Sequence, residues 1–383
     1  MPSSRVVEDP FRFTVPPAEI DQLRTRLRQT RWPGVASLNW ELGTDETFLK
    51  RLCEYWADGF DFTAAIDAIN AVPGYLAEVD GVPLHYLHVP GNGPSPLPLI
   101  LTHGWPSSYV EFLDVIGPLT DPARYGGDPA DAFSVVVPSI PGFGHSGFRP
   151  GLNVASIAPL WNGLMTRVLG YESYVAQGGD WGGMITSRLG YSHAESVRAI
   201  HLNLVGLSPH PSRRTDLSDA ELAWMSEMSA WQRTETGYLE IQSTKPQTLS
   251  YGLSDSPAGT AAWIVEKFRS WSDCQGDLYN VMTRDKLLTM LSVYWFTHTV
   301  ETSVRIYAEE RRNPWRTTPD TFVSVPTGVS HYPYEQVRPP REWAERVYNV
   351  QYWQEMQRGG HFPALEDPGP FVATLRDFFS RYR

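Results

Sequence analysis

The 383-residue chain carries 42% hydrophobic and 20% charged residues, a mix that supplies a large core and excludes disorder as the main state. Its net charge of −11 repels nucleic-acid phosphates and anionic lipid, so neither is an expected partner. Two cysteines, Cys53 and Cys274, rule out a disulfide framework and a cysteine-based zinc site, and are expected as buried thiols. At roughly 150 residues per domain, the length fits two or three domains or one large α/β unit with an insertion. No stretch approaches the ~18–20 apolar residues that span a bilayer. The start, Met1-Pro2-Ser3-Ser4-Arg5, lacks the apolar core of a signal peptide, so the expected location is the cytoplasm.

Residues 10–70 are rich in Trp, Phe and charge, and Ile20, Leu23 and Leu27 share one face of a predicted helix over 18–30. This block, 1–74, reads as an N-terminal cap or meander. Predicted strands 75–79 and 82–86 flank Asp80-Gly81, a dipeptide suited to a tight hairpin turn. Short apolar runs at 97–102, 133–138, 173–177 and 197–204 then alternate with helical segments. Such runs indicate parallel strands covered on both faces, hence an α/β fold whose first part spans 75–209. Over 210–315 the strand signal fades into Trp-rich helical pattern at 222–231, 261–271 and 286–298. Strand signal returns at 322–325 and 346–352, followed by a helix over 370–379, so the core resumes over 316–383. The inserted helical block is expected as a lid over the carboxyl edge of the sheet, where open α/β sheets keep their ligands.

The sharpest chemical signal is Gly178-Gly179-Asp180-Trp181-Gly182-Gly183, between a predicted strand and a predicted helix. Small residues around a central side chain permit a strained strand-to-helix turn that exposes that side chain at a helix N-terminus. A glycine-rich loop with Asp180 as a helix cap is the plain alternative. His103-Gly104-Trp105-Pro106 follows strand 97–102 at the same sheet edge, and its backbone N–H groups, with that of Trp181, are candidate oxyanion donors. A simple loop capped by Ser107 or Ser108 would also suit this segment. In this fold the order is nucleophile, acid, histidine, and of ten histidines only His361, in Gly359-Gly360-His361-Phe362, lies after the last predicted strand. The acid belongs between strand 322–325 and His361. Glu335, Glu342, Glu345 and Glu355 are available, and Glu335 is the one in a loop.

Taken together, the Asp180 and His361 motifs, His103-Gly104-Trp105-Pro106 and Pro141-Gly142-Phe143-Gly144-His145-Ser146 resemble those of the epoxide hydrolases of the α/β-hydrolase superfamily. The block from Phe11-Arg12 to Arg31-Trp32-Pro33 resembles the N-terminal region of their microsomal-type branch. The resemblance covers nearly the whole chain, although His-Gly-x-Pro and Asp-Trp-Gly are shared with haloalkane dehalogenases. It implies an α/β-hydrolase fold, with a mostly parallel central sheet flanked by helices, a helical lid and an N-terminal meander. The family's acid falls on Glu335 and its two lid tyrosines on Tyr238 and Tyr307. Trp105, Trp181 and Phe143 are then expected to line the substrate pocket. The membrane-anchor helix of the mammalian microsomal enzymes is absent, so the resemblance is to soluble bacterial and fungal members. Actinobacterial enzymes of antibiotic biosynthesis, including enediyne pathways, share the pattern, and both biosynthetic and detoxifying roles stay open.

An aspartate nucleophile fits this chemistry. Serine opening an epoxide would leave an ether, whereas a carboxylate leaves an ester that activated water can hydrolyse. The expected reaction converts an epoxide and water to a vicinal diol with no metal or other cofactor. Fourteen Trp, many of them in the lid segment, suit an aryl or bulky apolar substrate, although most lid aromatics are expected to form the lid's own core. A haloalkane dehalogenase is the alternative enzyme, leaving the tyrosine pair without an obvious role, and a non-catalytic ligand-binding protein is the alternative of another class. A homodimer is open, since no sequence feature calls for one.

Overall fold

The computed structural model describes residues 9–34 and 39–383. The N-terminal residues read above as lacking a signal core lie outside the described residues. Within them, one nine-stranded sheet runs in the order β1-β2-β3-β5-β4-β6-β7-β8-β9. Strands β1 (Asp9–Phe11), β2 (Gly74–Val79) and β3 (Val82–Val89) are antiparallel, and β3 pairs antiparallel with β5 (Phe133–Pro138). The rest run parallel: β4 (Leu97–Thr102) beside β5, then β6 (Tyr174–Gly178), β7 (Val197–Leu202), β8 (Val323–His331) and β9 (Tyr348–Glu355). Asp80 and Gly81 both have positive φ, 49° and 76°, the backbone that the predicted two-residue hairpin requires.

Helices α1 (Pro17–Arg28), α2 (Glu46–Asp58) and α3 (Phe62–Asn70) form the N-terminal block. Next along the chain come α4 (Leu113–Thr120), α5 (Val154–Gly163) and α6 (Asp180–Ser192). Between β7 and β8 run α7 (Asp219–Glu235), α8 (Gly237–Thr244), α9 (Pro246–Asp255), α10 (Pro257–Trp271), α11 (Arg284–Phe296), α12 (Val300–Ser303) and α13 (Arg305–Arg312). The chain closes with α14 (Arg341–Glu345), α15 (Pro363–Glu366) and α16 (Pro368–Phe379).

Successive strand residues face opposite sides of a sheet, and β7 shows that both sides are covered. Ile200 meets Gly190 of α6, while the next residue, His201, packs on Phe378 of α16 with ring centroids 6.0 Å apart. Strands β4, β5 and β6 are accordingly buried almost throughout, as their continuous apolar runs predict. The N-terminal block does more than extend the sheet. It braces the inserted helices: the Trp56 indole N–H donates to Ser292 Oγ at 3.0 Å, and the Thr44 hydroxyl, just before α2, to the Ala262 carbonyl at 2.6 Å. Cys53 and Cys274 are free and buried, and burial pushes the Cys53 thiol up to about 12. Among the described residues no helix is long and apolar enough to cross a membrane.

Candidate active site

Strand β6 ends at Gly178 and α6 begins at Asp180, so the turn between them must be tight. Asp180 sits in the left-handed region at φ 49°, a conformation unfavourable for a residue with a side chain and one that concentrates at functional sites. The neighbours are packed to suit it. A Cβ on Gly182 would lie 1.9 Å from the Thr102 carbonyl oxygen, and one on Gly104 would lie 2.2 Å from Asp180 Oδ1. Glycine at these two positions lets β4, the 103–106 loop and the helix start close around one carboxylate.

That carboxylate is held from two sides. Trp105 N–H donates to Oδ1 at 2.8 Å, and Oδ2 faces His361 Nε2 at 3.3 Å. Trp181, the second residue of α6, precedes the first bond of that helix, Gly183 N–H to the Gly179 carbonyl at 2.9 Å, so its N–H also belongs to the helix start. His361 Nδ1 pairs with Glu335 Oε1 at 2.7 Å, and both residues are buried, 3% and 5% exposed. Burial alone would push the imidazole down, but the charges of Glu335 and Asp180 outweigh it and hold its pKa well above the ordinary value. His103 is different in kind. Burial lowers it to about 4, so it is neutral, pairing with the Gly104 carbonyl at 3.0 Å and accepting Ile140 N–H at 3.2 Å as a brace for the loop.

Above Asp180 lies a cavity of about 560 Å³. Tyr238 of α8 and Tyr307 of α13 line it with Asp180 and Trp181, their rings 6.0 Å apart and nearly perpendicular. Burial pushes both phenols far above the usual tyrosine range; the nearby Asp180 charge adds to this, and hydrogen bonding from Tyr307 opposes it at Tyr238. Both are therefore protonated donors at neutral pH. The far wall is apolar, with Trp224, Met228 and Trp231 of α7 and Leu239 of α8.

Five side chains selected from sequence, Asp180, His361, Glu335, Tyr238 and Tyr307, thus converge on one place, with Trp181 beside them. Two expected pocket residues sit elsewhere. Phe143 is fully buried, edge-on to His103 at 5.2 Å and to Tyr294 at 6.4 Å, and does not line the cavity, because its ring is spent on these core contacts. The Trp105 ring, 1% exposed, stacks on Tyr238 at 5.4 Å and supports that ring from behind. Of the aromatics in segment 210–315, Trp224 and Trp231 reach the cavity, whereas Trp271 packs against His361 and Tyr294 donates to the Ser107 carbonyl at 2.7 Å. Glu111 and Ser107, which sequence reasoning did not select as functional, lie beside Asp180 and His361. Among the described residues no His, Cys, Asp and Glu side chains group as a metal site.

Comparison with known proteins places the chain in a family. A family model of the epoxide hydrolase N terminus matches residues 8–112, and one of the alpha/beta hydrolase fold matches 98–247. A Stigmatella aurantiaca protein is 41% identical over 98% of this chain and 85% of its own length. Epoxide hydrolase 1 of Sus scrofa is 32% identical over 96% of this chain and 88% of its own. Juvenile hormone epoxide hydrolase from Bombyx mori superposes with a TM-score of 0.88 at 29% identity, covering 99% of this chain and 95% of that one. The Aspergillus niger epoxide hydrolase gives 0.87 at 27% identity, with 99% and 97% covered. The chain belongs to the epoxide hydrolases of the α/β-hydrolase fold.

Proposed function

We propose that the chain opens its epoxide through a covalent ester on Asp180. The observation that carries this reading is the setting of the Asp180 carboxylate, with one oxygen on a backbone N–H, the other toward His361, and two tyrosine hydroxyl groups across the cavity. Oδ2 attacks one epoxide carbon while Tyr238 and Tyr307 donate to the ring oxygen, which becomes the alkoxide as the C–O bond breaks. Oδ1, already on Trp105 N–H, becomes the ester carbonyl oxygen, and Trp181 N–H is the second donor for the later oxyanion. Ester formation removes the Asp180 charge that helps to raise His361, so the imidazole becomes a better base when one is needed. His361, oriented by Glu335, then takes a proton from water. The hydroxide adds to the ester carbonyl, collapse of the tetrahedral intermediate expels the ester oxygen, and the proton held by His361 and that of the added hydroxide pass to the two alkoxide oxygens, which restores the carboxylate and releases a vicinal diol.

The volume and apolar walls of the cavity support an aryl or otherwise bulky apolar epoxide. In this reading the helical segment 210–315 is the lid, set between core segments 75–209 and 316–383 behind the N-terminal block 1–74. The test is one turnover of styrene oxide in water enriched in heavy oxygen, beside D180A. The ester route gives unlabelled diol and labelled Asp180, and D180A gives no diol. Label in the diol with none in Asp180 would mean direct attack by water.

A further inference from the structure

A second, small cavity lies beside the Asp180 carboxylate. It is lined by Asp180, His361, Ser107 and Glu111, with backbone from Gly104 and Gly179. The space open to a water's centre is about 10 Å³, the room one water needs. Its walls are polar enough to hold that water. His361 Nε2 is 3.3 Å from Asp180 Oδ2 but is not aligned for a hydrogen bond with it, and among the described residues it has no other hydrogen-bond partner. Glu111 follows in a short turn, Tyr109–Phe112, whose start is fixed by Ser108 Oγ accepting Val110 N–H at 3.3 Å. A carboxylic side chain buried against an otherwise apolar turn is costly, and nothing in the ester chemistry derived above uses it.

We propose that Glu111, together with Ser107, is the positioning residue for the hydrolytic water, holding it between His361 Nε2 and the carboxyl carbon of Asp180. The proposal rests on the ester reading of the reaction. One proton of the water goes to His361 Nε2 as its oxygen bonds the ester carbon, while the other points to Glu111 or Ser107, which fixes the angle of attack. Burial pushes the Glu111 carboxyl up to about 7, hydrogen bonding to Ser107 and the His361 charge lower it, and the Asp180 charge raises it further.

The experiment is rapid-quench mass spectrometry of single turnovers of styrene oxide by the wild type, E111Q, E111M and S107A. It follows the substrate mass on the Asp180 peptide as it forms and decays. In E111M, ester formation is expected to stay within about threefold and ester decay to slow by roughly 30-fold or more, the scale set by a misplaced reactant. In E111Q, which can still hydrogen-bond the water, decay is expected to return to within about fivefold of wild type. Formation and decay slowed in equal proportion, or decay unchanged in E111M, would overturn the proposal. Should E111M not fold, S107A decides: decay slowed about fivefold with formation unchanged supports it, and unchanged decay overturns it. Absence of any adduct on Asp180 in all four proteins would instead remove the ester reading itself.

Discussion

Glu335 Oε1 lies 2.7 Å from His361 Nδ1 across 26 residues of sequence. Strands β8 and β9 run parallel, so the loops that leave them start side by side. A further parallel bridge between Tyr334 and Gly360 carries the register past the strand ends and sets the two side chains against each other. The His361 backbone is held separately, its N–H donating to the Trp271 carbonyl at 2.9 Å.

This pair makes the pH dependence of ester decay predictable. The Glu335 charge is one of the influences that raise His361, so its removal lowers the imidazole pKa. The neutral base is then populated at lower pH, and the acid limb of the decay rate in E335Q moves to lower pH than in wild type. The plateau rate falls as well, by about 10- to 100-fold, because a less basic and less well-oriented imidazole is a poorer general base. Ester decay measured by quench from pH 5 to 9 checks both, and an acid limb that stays in place would contradict the pairing as the cause of the raised pKa.

The tyrosine pair should act on the other half-reaction. In the proposed reaction each hydroxyl group donates to the same developing alkoxide, so Y238F and Y307F should each slow ester formation by roughly 10- to 100-fold and leave ester decay nearly unchanged. The double variant should lose about 10³-fold or more, since neither donor then remains. Burst rates under single-turnover conditions separate the two steps. A double variant no slower than either single one would mean that only one hydroxyl group reaches the epoxide oxygen.

Asp180 was legible because an elbow needs small residues around one reactive side chain, and that need is local. Glu335 required chain order, because nothing in Tyr332-Pro333-Tyr334-Glu335 separates a buried acid from a solvated one. Phe143 was misplaced because an apolar loop residue serves equally in a pocket wall or a core, and only its core contacts decide. Glu111 gave no signal at all, since its burial comes from the packing of its turn against the His361 loop. Strand β8 runs on to His331, well past the predicted 322–325, because Pro326 sits at a register irregularity, where a strand tolerates proline. The tryptophans of segment 210–315 divide between cavity and core by helix orientation, which no local pattern encodes.

The elbow packing predicts a sharp contrast between two glycines. A Cβ at Gly182 would meet the Thr102 carbonyl oxygen at 1.9 Å and the His103 carbonyl oxygen at 2.7 Å, both backbone atoms that can move only with the end of β4 and the loop that leaves it. G182A should therefore cost about 3 kcal/mol or more and displace Asp180. Gly252, exposed within α9, has nothing within 4 Å of where a methyl group would stand and no positive φ. G252A should stabilise the protein by about 0.5–1 kcal/mol through helix propensity alone. Denaturant unfolding of the two variants beside wild type tests the pair, and similar behaviour of both would argue against a strained, tightly packed elbow.

The wall of the substrate cavity is pinned to the core by Arg346. Its Nε and Nη2 donate to Oε1 and Oε2 of Glu221 at 2.5 and 2.8 Å, and Nη1 donates to the Arg213 carbonyl at 2.8 Å. Glu221 is fully buried and also closes the start of α7, where its Oε2 accepts Ser218 N–H at 2.9 Å. Because α7 carries Trp224, Met228 and Trp231 into the cavity, this pair links the end of the sheet to the wall of the proposed substrate cavity. R346M leaves a buried carboxylate without its cation, which should cost about 3 kcal/mol, toward the lower end for such losses because the arginine is partly exposed. The loss should fall on α7 first, so KM for a bulky aryl epoxide should rise several-fold while that for a small aliphatic epoxide changes little. R346M/E221Q removes the stranded charge and should recover part of the stability without restoring the KM, since the link to α7 is still missing. Equal effects on both substrates, or no change in stability, would show that the wall is held by its apolar packing alone.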